Sequence, residues 1–442
     1  MRVGAESGVR RLIILGSTGS IGVQTLEVVT HLNSLHARGE FPFRFEVVGL
    51  AAGRNADATL AQAMTHGVRE VALADGKSCE RVSAPPGVKV RSGADAAERL
   101  VREVECDMVV GAIVGAAGLS ATLAAVERGT DVALANKETL VAAGSIVIET
   151  ARKSGARLLP VDSEHSGVWQ ALAGATEKAH VAEALGTGHR ALDASQGVAR
   201  RPQASRLERQ AALVPPCEVG ADVSRVILTA SGGALRNKTK EQVENATPED
   251  ALAHPTWNMG AKVTIDTASL TNKALEVIEA HWLFGLEADR IGVVVHPQSI
   301  IHAVVEFADG SSIAQMGVPT MCTPIQVAIA YPHRVSGKLG AVSLASASRL
   351  DFIEPDLGRF PALELGFRVA REGGTSGAVF NAANEAAVEA FLARKIPFGK
   401  IARLSRAAMD EIGVSEVRSL DDVYAADREA RRFVGKALGI GH

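Results

Sequence analysis

Short apolar runs alternate with stretches of helical periodicity over the first 160 residues, and this alternation restricts the possible folds more than any other feature. Strands separated by helices form βαβ units, which assemble into a parallel sheet covered by helices. The sequence therefore predicts an α/β domain over residues 1–160. The expected strands are LIILG, FEVVGLAAG, EVALAD, VKV, DMVVGAIVG, DVALAN and RLLPVD.

The next region, residues 161–330, has strand-like segments around one long helical stretch from Thr267 to Phe284. Asp309-Gly310 is a turn signal between two β-prone runs and predicts a hairpin. We expect a second domain of α+β type here. It contains a polar, weakly periodic segment, about 174–219, which we interpret as a solvated insertion.

The remaining residues begin with a Ser-, Gly- and Pro-containing linker over 331–355. Ala-rich segments of helical periodicity follow. They predict a C-terminal α-helical bundle domain over 356–442.

Charge and hydropathy exclude several classes of protein. The 442 residues include 47 basic and 50 acidic side chains, so no global field attracts nucleic acid, and an anionic ligand needs a local site. No apolar run approaches the ~20 residues that span a bilayer, and the opening segment lacks an apolar signal-peptide core. We expect a cytoplasmic protein without membrane or nucleic-acid partners. The four cysteines form no CxxC pair, which argues against a zinc ribbon or a disulfide framework.

A glycine-rich loop follows the first predicted strand. Gly16, Gly19 and Gly22 lie three residues apart in LIILGSTGSIG, before a helical stretch. Glycines there let the backbone approach a phosphate, and amides at a helix N-terminus favour an anion. This context indicates a Rossmann-like dinucleotide site, and the alternative is a tight turn without a ligand.

The second predicted strand bears on the choice of dinucleotide. It ends in Gly53-Arg54-Asn55 instead of the acidic residue that binds a free ribose 2′-hydroxyl. An arginine at this position can pair with a 2′-phosphate. We therefore expect NADP in preference to NAD; the alternative is that Arg54 is a solvated surface residue.

Two carboxylates follow the strand RLLPVD. We expect the strand to continue through PVDSEHS, so that its two-residue period places Asp162 and Glu164 on one side, where a cation would relieve their repulsion. Oxygen ligands suit Mg²⁺ or Mn²⁺ better than Zn²⁺. The alternative is a solvated strand end.

The predicted helix from Thr267 supplies a third carboxylate. Asn272, Lys273 and Glu276 fall within an arc of about 100° on it. With the hydroxyl of Thr267 at the helix start, this face could bind a phosphorylated, metal-chelating substrate. An exposed polar face is the alternative.

Smaller signals surround these groups. The loop HPTWNMG, from His254 to Gly260, contains Trp257 and Met259, which are costly to leave in water, so it either closes over a ligand or packs against the core. LANKE and TASGG end predicted strands, and TASGG presents Ser231. His296 also ends a strand, where a lone histidine is more often structural.

Together these motifs resemble the 1-deoxy-D-xylulose 5-phosphate reductoisomerase family, from about Leu12 to the C-terminal helices. The resemblance implies a homodimeric enzyme that uses NADPH and Mg²⁺ or Mn²⁺, with Co²⁺ as a further option. Its substrate is a sugar phosphate, 1-deoxy-D-xylulose 5-phosphate, and its product is 2-C-methyl-D-erythritol 4-phosphate, in mevalonate-independent isoprenoid biosynthesis. The motifs are GSTGSIG, LANKE, PVDSEHS, TASGG, HPTWNMGAK, TNKALEVIEAHWLF, HPQSIIHAVVEFADGS and NAANEAAVEAF.

The resemblance also implies roles for individual residues. Asp162, Glu164 and Glu276 match metal ligands. The matches to catalytic positions are Glu164, Lys137, His254, Trp257 and Met259. The matches to substrate contacts are Lys137, Ser163, Glu164, Ser231, His254, Thr267, Asn272, Lys273 and Glu276. The matches to NADPH contacts are Thr18, Gly19, Ser20, Ile21, Gly53, Arg54, Asn55, Asn136, Glu138 and Gly260.

Two other functions stay open at this point. An NADP-dependent dehydrogenase of another sugar phosphate or aldehyde would share the glycine loop without needing the metal ligands. A non-catalytic nucleotide-binding regulator would bind NADPH without consuming it.

Overall fold

A computed structural model describes residues 8–172, 214–257 and 259–439. Its first part is a seven-stranded, fully parallel sheet in the order β4-β3-β2-β1-β5-β6-β7. All seven expected strands are present. They are β1 (Val9–Leu15), β2 (Arg44–Ala52), β3 (Glu70–Leu73), β4 (Lys89–Ser92), β5 (Met108–Gly111), β6 (Asp131–Leu134) and β7 (Leu158–Pro160).

Six helices connect these strands and cover the sheet. The strands are buried on both faces, as in β1, where Leu12 to Leu15 are fully inaccessible. The strand order reverses between β1 and β5, and ligands of open α/β sheets bind beyond the carboxyl ends of the strands at such a reversal. The helices are α1 (Ser20–Ala37), α2 (Ala56–His66), α3 (Gly76–Glu80), α4 (Ala96–Glu103), α5 (Leu119–Glu127) and α6 (Glu138–Ser154).

A four-stranded sheet in the order β11-β10-β8-β9 forms the next part. β10 runs antiparallel to β8 and β11, and β8 runs parallel to β9. The hairpin predicted at Asp309-Gly310 is the β10–β11 connection. The elements are α7 (Ser163–Leu172), β8 (Val223–Ala230), α8 (Lys240–Glu244), α9 (Pro248–Leu252), α10 (Ala261–Ala268), α11 (Thr271–Phe284), β9 (Ile291–Val295), β10 (Ile301–Phe307), β11 (Ser312–Met316) and α12 (Cys322–Ala330).

The single helix expected from Thr267 is wrong. The chain forms two helices, α10 and α11, which are separated at Ser269 and Leu270. Leu270 has a left-handed backbone, with φ of 59°, and its side chain is buried. Because leucine is uncommon in this conformation, the break depends on tertiary packing that the periodicity of the sequence does not reveal.

The C-terminal part is helical, as predicted. Helix α14 packs closely on α11, since a Cβ on Gly366 would lie 2.5 Å from the Ala274 carbonyl oxygen. This contact fixes α11 from the side away from the seven-stranded sheet. The helices are α13 (Leu344–Ala347), α14 (Ala362–Glu372), α15 (Ser376–Leu392), α16 (Lys400–Ile412) and α17 (Leu420–Ala437).

The predicted solvated insertion, 174–219, lies mostly outside the described residues. Its last part, 214–219, is described and is not solvated: Val214, Cys217 and Val219 are buried. The Cys217 and Val219 amides donate to the carbonyl groups of Leu283 and Phe284 at the end of α11. The apolar side chains of this part explain its burial.

The α/β class with a Rossmann-like sheet, an α+β part and C-terminal helices is confirmed. Within the described ranges, no helix is both long enough and apolar enough to cross a membrane.

Candidate active site

A cavity of about 590 Å³ lies where the carboxyl ends of the parallel strands meet α7, α10 and α11. Its lining brings together most of the site residues predicted from the sequence. Five predicted residues are outside the lining: Thr18, Gly53, Arg54, Asn55 and His254. Those that line it are Gly19, Ser20, Ile21, Asn136, Lys137, Glu138, Asp162, Ser163, Glu164, Ser231, Trp257, Met259, Gly260, Thr267, Asn272, Lys273 and Glu276.

Three carboxylates meet at the floor of this cavity. Asp162, Glu164 and Glu276 each offer an oxygen, and these oxygens lie within 4.8 Å of one another. The convergence is as predicted, but the strand argument for it is wrong. Strand β7 ends at Pro160, Asp162 precedes α7, and Glu164 lies in the first turn of that helix.

Two lysines bridge these carboxylates. Lys137 Nζ contacts Asp162 and lies 3.1 Å from Glu276 Oε1. Lys273 Nζ lies 2.6 Å from Glu164 Oε1 and also contacts Glu276. All five side chains therefore form one network of opposite charges, in which Glu276 touches both ammonium groups.

Neutral side chains extend the network. Asn272 donates to Glu276 Oε1 at 2.5 Å and accepts from Lys137 Nζ at 3.0 Å. Ser163 Oγ donates to Glu164 Oε2 at 2.5 Å. The predicted substrate contacts and the predicted metal ligands are thus directly connected.

Burial and charge shift the pKa values of the three carboxyl groups in different directions. Burial opposes ionisation of Asp162, but the Lys137 ammonium outweighs it and lowers the pKa of Asp162 to about 2. Burial also opposes ionisation of Glu164, and Lys273 lowers its pKa. Burial and the adjacent Glu164 charge raise the pKa of Glu276 to about 7. Of the three, Glu276 is the carboxyl that changes its protonation near neutral pH.

The donor set fits a hard divalent cation. Its three convergent ligands are all carboxylates, and oxygen ligands are the preference of Mg²⁺ and Mn²⁺. The three carboxylates also attract positive charge within the protein, because the ammonium groups of Lys137 and Lys273 both contact them.

Ser231 and His254 form a second polar group beside the cavity. His254 Nδ1 accepts the Trp257 amide at 2.8 Å, so the neutral ring carries its proton on Nε2, 3.0 Å from Ser231 Oγ. Ser231 Oγ also accepts the Gly233 amide at 3.2 Å. With both of these bonds accepted, the hydroxyl proton of Ser231 is available to an anion.

The loop from His254 to Gly260 is fixed at its start by these bonds. Trp257 and Met259 are partly buried and line the cavity. Their partial burial reduces the contact of these two apolar side chains with water, and closure of the loop over a ligand stays a prediction.

Thr267 is held near Ser231 by the backbone. Gly233 has a φ of +68°, and a Cβ on it would lie 2.6 Å from the Thr267 carbonyl oxygen. Thr267 lies near the end of α10 rather than at the start of the long helix, and its Oγ1 donates to the Val263 carbonyl oxygen at 2.8 Å.

The glycine loop lies at the reversal of strand order. Gly16 has a φ of +83°, and a Cβ on it would lie 2.4 Å from the Ala112 carbonyl oxygen after β5. Gly19 is the N-cap residue of α1, and Gly22 packs against the Gly16 backbone, where a Cβ would find no room. The N-terminus of α1 thus opens toward the cavity.

The segment after β2 is exposed. The Asn55 side chain accepts from the Ala58 amide and caps α2. Gly53 and Arg54 are solvent-accessible beside it. Arg54 therefore has the freedom to reach a ligand that extends beyond the cavity.

Two predicted cofactor contacts have internal partners. The Asn136 amide donates to the Gly115 carbonyl oxygen at 2.9 Å and accepts from the Thr139 amide. Glu138 accepts from Lys262 Nζ at 2.8 Å. These side chains shape the cavity wall through the bonds they make within the protein.

The sequence analysis missed several lining residues, among them Lys262, Ser299 and His302. Lys262 follows the HPTWNMG motif and pairs with Asp266 four residues later, a helical spacing that was visible in the sequence. His302 lies within β10 and inside the HPQSIIHAVVEFADGS motif, but the sequence analysis gave it no role. His296 is fully buried, contacts the Asp351 backbone carbonyl and stacks on a phenylalanine ring, in agreement with the structural alternative.

A doubly wound parallel sheet whose cofactor loop faces a cluster of carboxylates defines an NADP-dependent oxidoreductase with a metal-type site. Three sequence models for the 1-deoxy-D-xylulose 5-phosphate reductoisomerase family match residues 12–144, 158–284 (C-terminal domain) and 316–433 (DXP reductoisomerase C-terminal domain). The chain belongs to this family.

Individual relatives agree with this assignment. The chain is 42% identical to the 1-deoxy-D-xylulose 5-phosphate reductoisomerase of Anaeromyxobacter dehalogenans over 97% of both chains. It is 44% identical to that of Chlorobium phaeovibrioides, over 96% of this chain and 98% of the relative.

Solved structures are similar over the whole length. The Zymomonas mobilis enzyme in complex with NADPH is 35% identical, with a TM-score of 0.79 over 97% of this chain and 99% of that chain. A DOX-P reductoisomerase in complex with NADPH, fosmidomycin and magnesium is 35% identical, with a TM-score of 0.82 over 98% of both chains.

Proposed function

We propose that this chain catalyses the NADPH- and divalent-metal-dependent isomerisation and reduction of 1-deoxy-D-xylulose 5-phosphate to 2-C-methyl-D-erythritol 4-phosphate. The observation that carries the proposal is the convergence of Asp162, Glu164 and Glu276 in a cavity that the glycine loop of β1 also lines. A dehydrogenase that acts without isomerisation does not need this carboxylate cluster. A regulator needs neither metal-dependent isomerisation nor hydride transfer.

Asp162, Glu164 and Glu276 hold the divalent cation in this proposal. When bound, the cation supplies a Lewis acid that polarises a carbonyl and stabilises developing negative charge. Lys137 and Lys273 keep the three carboxylates close together and add positive charge beside the reacting oxygens. Glu164 is the candidate to move a proton, because it lines the cavity beside the cation position and accepts a hydrogen bond from Ser163 Oγ.

The phosphate end of the substrate is bound at the other side of the cavity. Ser231 has a hydroxyl proton to donate, and Thr267, Asn272 and Lys273 line the same space. Binding the phosphate away from the reacting carbons orients them and contributes binding energy to the reaction. His254 supports Ser231 through the Nε2 contact.

The cofactor is bound by the first part of the chain. Residues of the β1–α1 loop receive the diphosphate, and Arg54 pairs with the 2′-phosphate. When bound, NADPH supplies the hydride. Trp257 and Met259 exclude water from the space where the hydride is transferred.

A coupled measurement tests the function. We expect NADPH absorbance to fall on addition of 1-deoxy-D-xylulose 5-phosphate with Mg²⁺ or Mn²⁺, and to stay constant with EDTA. NMR should identify the branched methylerythritol phosphate as product. Turnover that EDTA leaves unchanged, or an unbranched product, would favour the plain dehydrogenase, and NADPH binding without turnover would favour the regulator.

Homodimerisation in the cytoplasm is also part of the proposal. β11 is an edge strand with exposed Ile313, and Leu344, Phe352 and Ile353 are exposed in the segment that follows α12. An edge that no other described strand covers, with apolar neighbours, favours pairing with a second copy. Sedimentation should give twice the chain mass, and Ile313→Lys should reduce it. The domain boundaries at residues 160, 330 and 355 stay predictions.

A further inference from the structure

A buried pair, His165 and Glu279, lies behind the three carboxylates and has no part in the chemistry above. His165 belongs to α7 and directly follows Glu164, and Glu279 belongs to α11, one turn after Glu276. Both side chains have no solvent exposure. A fully buried ionisable pair is costly unless its members satisfy each other, so its presence needs an explanation.

The ring of His165 connects the two helices. His165 Nε2 lies 2.8 Å from the backbone carbonyl oxygen of Glu276. Because a carbonyl oxygen only accepts, Nε2 carries a proton and donates it. This hydrogen bond therefore links His165, the residue after Glu164, to the backbone of Glu276.

The other ring nitrogen faces Glu279. His165 Nδ1 lies 3.2 Å from Glu279 Oε2, in a geometry short of a regular hydrogen bond. Neither this nitrogen nor either oxygen of Glu279 has another hydrogen-bond partner among the described residues. Glu279 is therefore the carboxyl group that Nδ1 faces. Because Nε2 already donates its proton to the Glu276 carbonyl oxygen, a hydrogen bond between Nδ1 and the Glu279 carboxyl group needs one proton between them.

We propose that Glu279 is a positioning residue: it orients the His165 ring so that Nε2 holds the Glu276 peptide, and it thereby fixes the spacing of Glu164 and Glu276. The proposal rests on the proposed function only in taking these carboxylates as metal ligands. Its consequence is that Glu279 controls metal affinity without contacting the metal. Outer partners of this kind typically change metal affinity by about 10- to 100-fold.

A second cation is the competing explanation, because Asp162, His165 and Glu279 also place ligand atoms within 4.8 Å of one another. Asp162, Glu164 and Glu276 line the cavity, whereas His165 and Glu279 do not, so we place the cation at the first three and not behind them. Metal stoichiometry separates the two explanations.

The test compares Glu279→Gln, Glu279→Asp and Glu279→Leu with an exposed control, Glu429→Gln. Glutamine keeps the length and a donor, aspartate withdraws the carboxyl by one methylene, and leucine removes the polar group. Mn²⁺ affinity and stoichiometry are measured by electron paramagnetic resonance, and NADPH affinity by fluorescence, both without substrate.

We expect Mn²⁺ binding to weaken by about 10- to 100-fold in Glu279→Leu and by about 10-fold in Glu279→Asp. Glu279→Gln and the control should stay within about 3-fold, and NADPH affinity should not change. Should Glu279→Leu fail to fold, Glu279→Asp decides the question. Wild-type Mn²⁺ affinity in a folded Glu279→Asp, or two Mn²⁺ per wild-type chain with one lost on substitution, would overturn the proposal. These binding experiments measure no turnover. A failure of the proposed function would appear in the NADPH turnover assay, independently of their outcome.

Discussion

Lys137 Nζ lies 3.1 Å from Glu276 Oε1, so an ammonium group at the end of the seven-stranded sheet closes on a carboxylate that α11 carries. This contact connects the seven-stranded sheet, which carries the glycine loop, to the cluster of three carboxylates. In this cluster the carboxylates outnumber the two bridging ammonium groups by one. Removing one carboxylate leaves the charges of the cluster balanced, whereas removing one lysine leaves an excess of two negative charges. The loss of a lysine should therefore reduce stability more.

Glu276→Gln should abolish tight metal binding without unfolding the protein. The substitution keeps the shape and leaves two carboxylates facing two ammonium groups, so the loss of metal-free stability should stay below the roughly 3–5 kcal/mol that follows when a buried charge loses its partner. Mn²⁺ affinity should fall by at least about 100-fold, since loss of an outer partner alone reaches that magnitude. Titration calorimetry and thermal unfolding measure the two effects.

The exposed Glu429→Gln is the matched control for this substitution and should leave both quantities unchanged. Undiminished Mn²⁺ binding in Glu276→Gln would remove Glu276 from the ligand set.

Mn²⁺ affinity should rise with pH through about 7. Burial and the Glu164 charge raise the pKa of Glu276 to about 7 in the metal-free protein, so below this pH the cation must displace a proton from a neutral carboxyl group. Above it, Glu276 is already a carboxylate and the affinity levels off. Calorimetry in buffers of different ionisation enthalpy should detect net proton release near pH 7. Release that persists in full in Glu276→Gln would mean that another group supplies the proton.

Sequence patterns located most of this site, but for reasons that were only partly right. The glycine spacing predicts a tight turn before a helix, and Gly16, with a left-handed backbone just before α1, makes that turn. The sequence analysis assigns Asp162 and Glu164 to a strand, whereas Glu164 lies in the first turn of α7. An acidic residue in a first helical turn was the signal that favoured the helix.

The remaining differences come from long-range packing. The helix break at Leu270 places a leucine in a left-handed conformation, which no local preference predicts. Lys262 is paired with Glu138, the first residue of the distant helix α6, and His302 is brought to the cavity by the sheet order. Such pairings depend on which strands become neighbours, and a single sequence does not contain that information in a local form.

Arg54→Ala should weaken NADPH binding and spare NADH. Arg54 is exposed at the carboxyl end of β2, beside the cofactor loop, and a charge-assisted bond to a 2′-phosphate contributes about 1.5–3 kcal/mol. We expect the NADPH Kd to rise by about 10-fold or more, with NADH affected less than 2-fold. Arg44→Ala, an exposed arginine at the other end of the same strand, is the control. Equal losses for both dinucleotides in Arg54→Ala would contradict a 2′-phosphate contact.

Gly144→Ala should disturb the site from a distance. Gly144 lies in α6, and a Cβ there would lie 2.3 Å from the indole nitrogen of Trp282 in α11. The bulky indole would have to move or the two helices to separate, and overpacking of this kind typically costs about 1–3 kcal/mol of stability. Because Lys137 immediately precedes α6 and Glu276 lies in α11, their contact should lengthen and Mn²⁺ binding should weaken.

Denaturant unfolding and Mn²⁺ titration of the same preparation measure both effects of Gly144→Ala. Gly340→Ala, where an added Cβ meets no atom within 4 Å, is the control for the glycine-to-alanine change itself. Adding Trp282→Phe to Gly144→Ala makes room for the new methyl group, so it should recover part of the stability and of the Mn²⁺ affinity together. Recovery of stability without recovery of Mn²⁺ affinity would show that the α6–α11 spacing does not set the geometry of the carboxylate cluster.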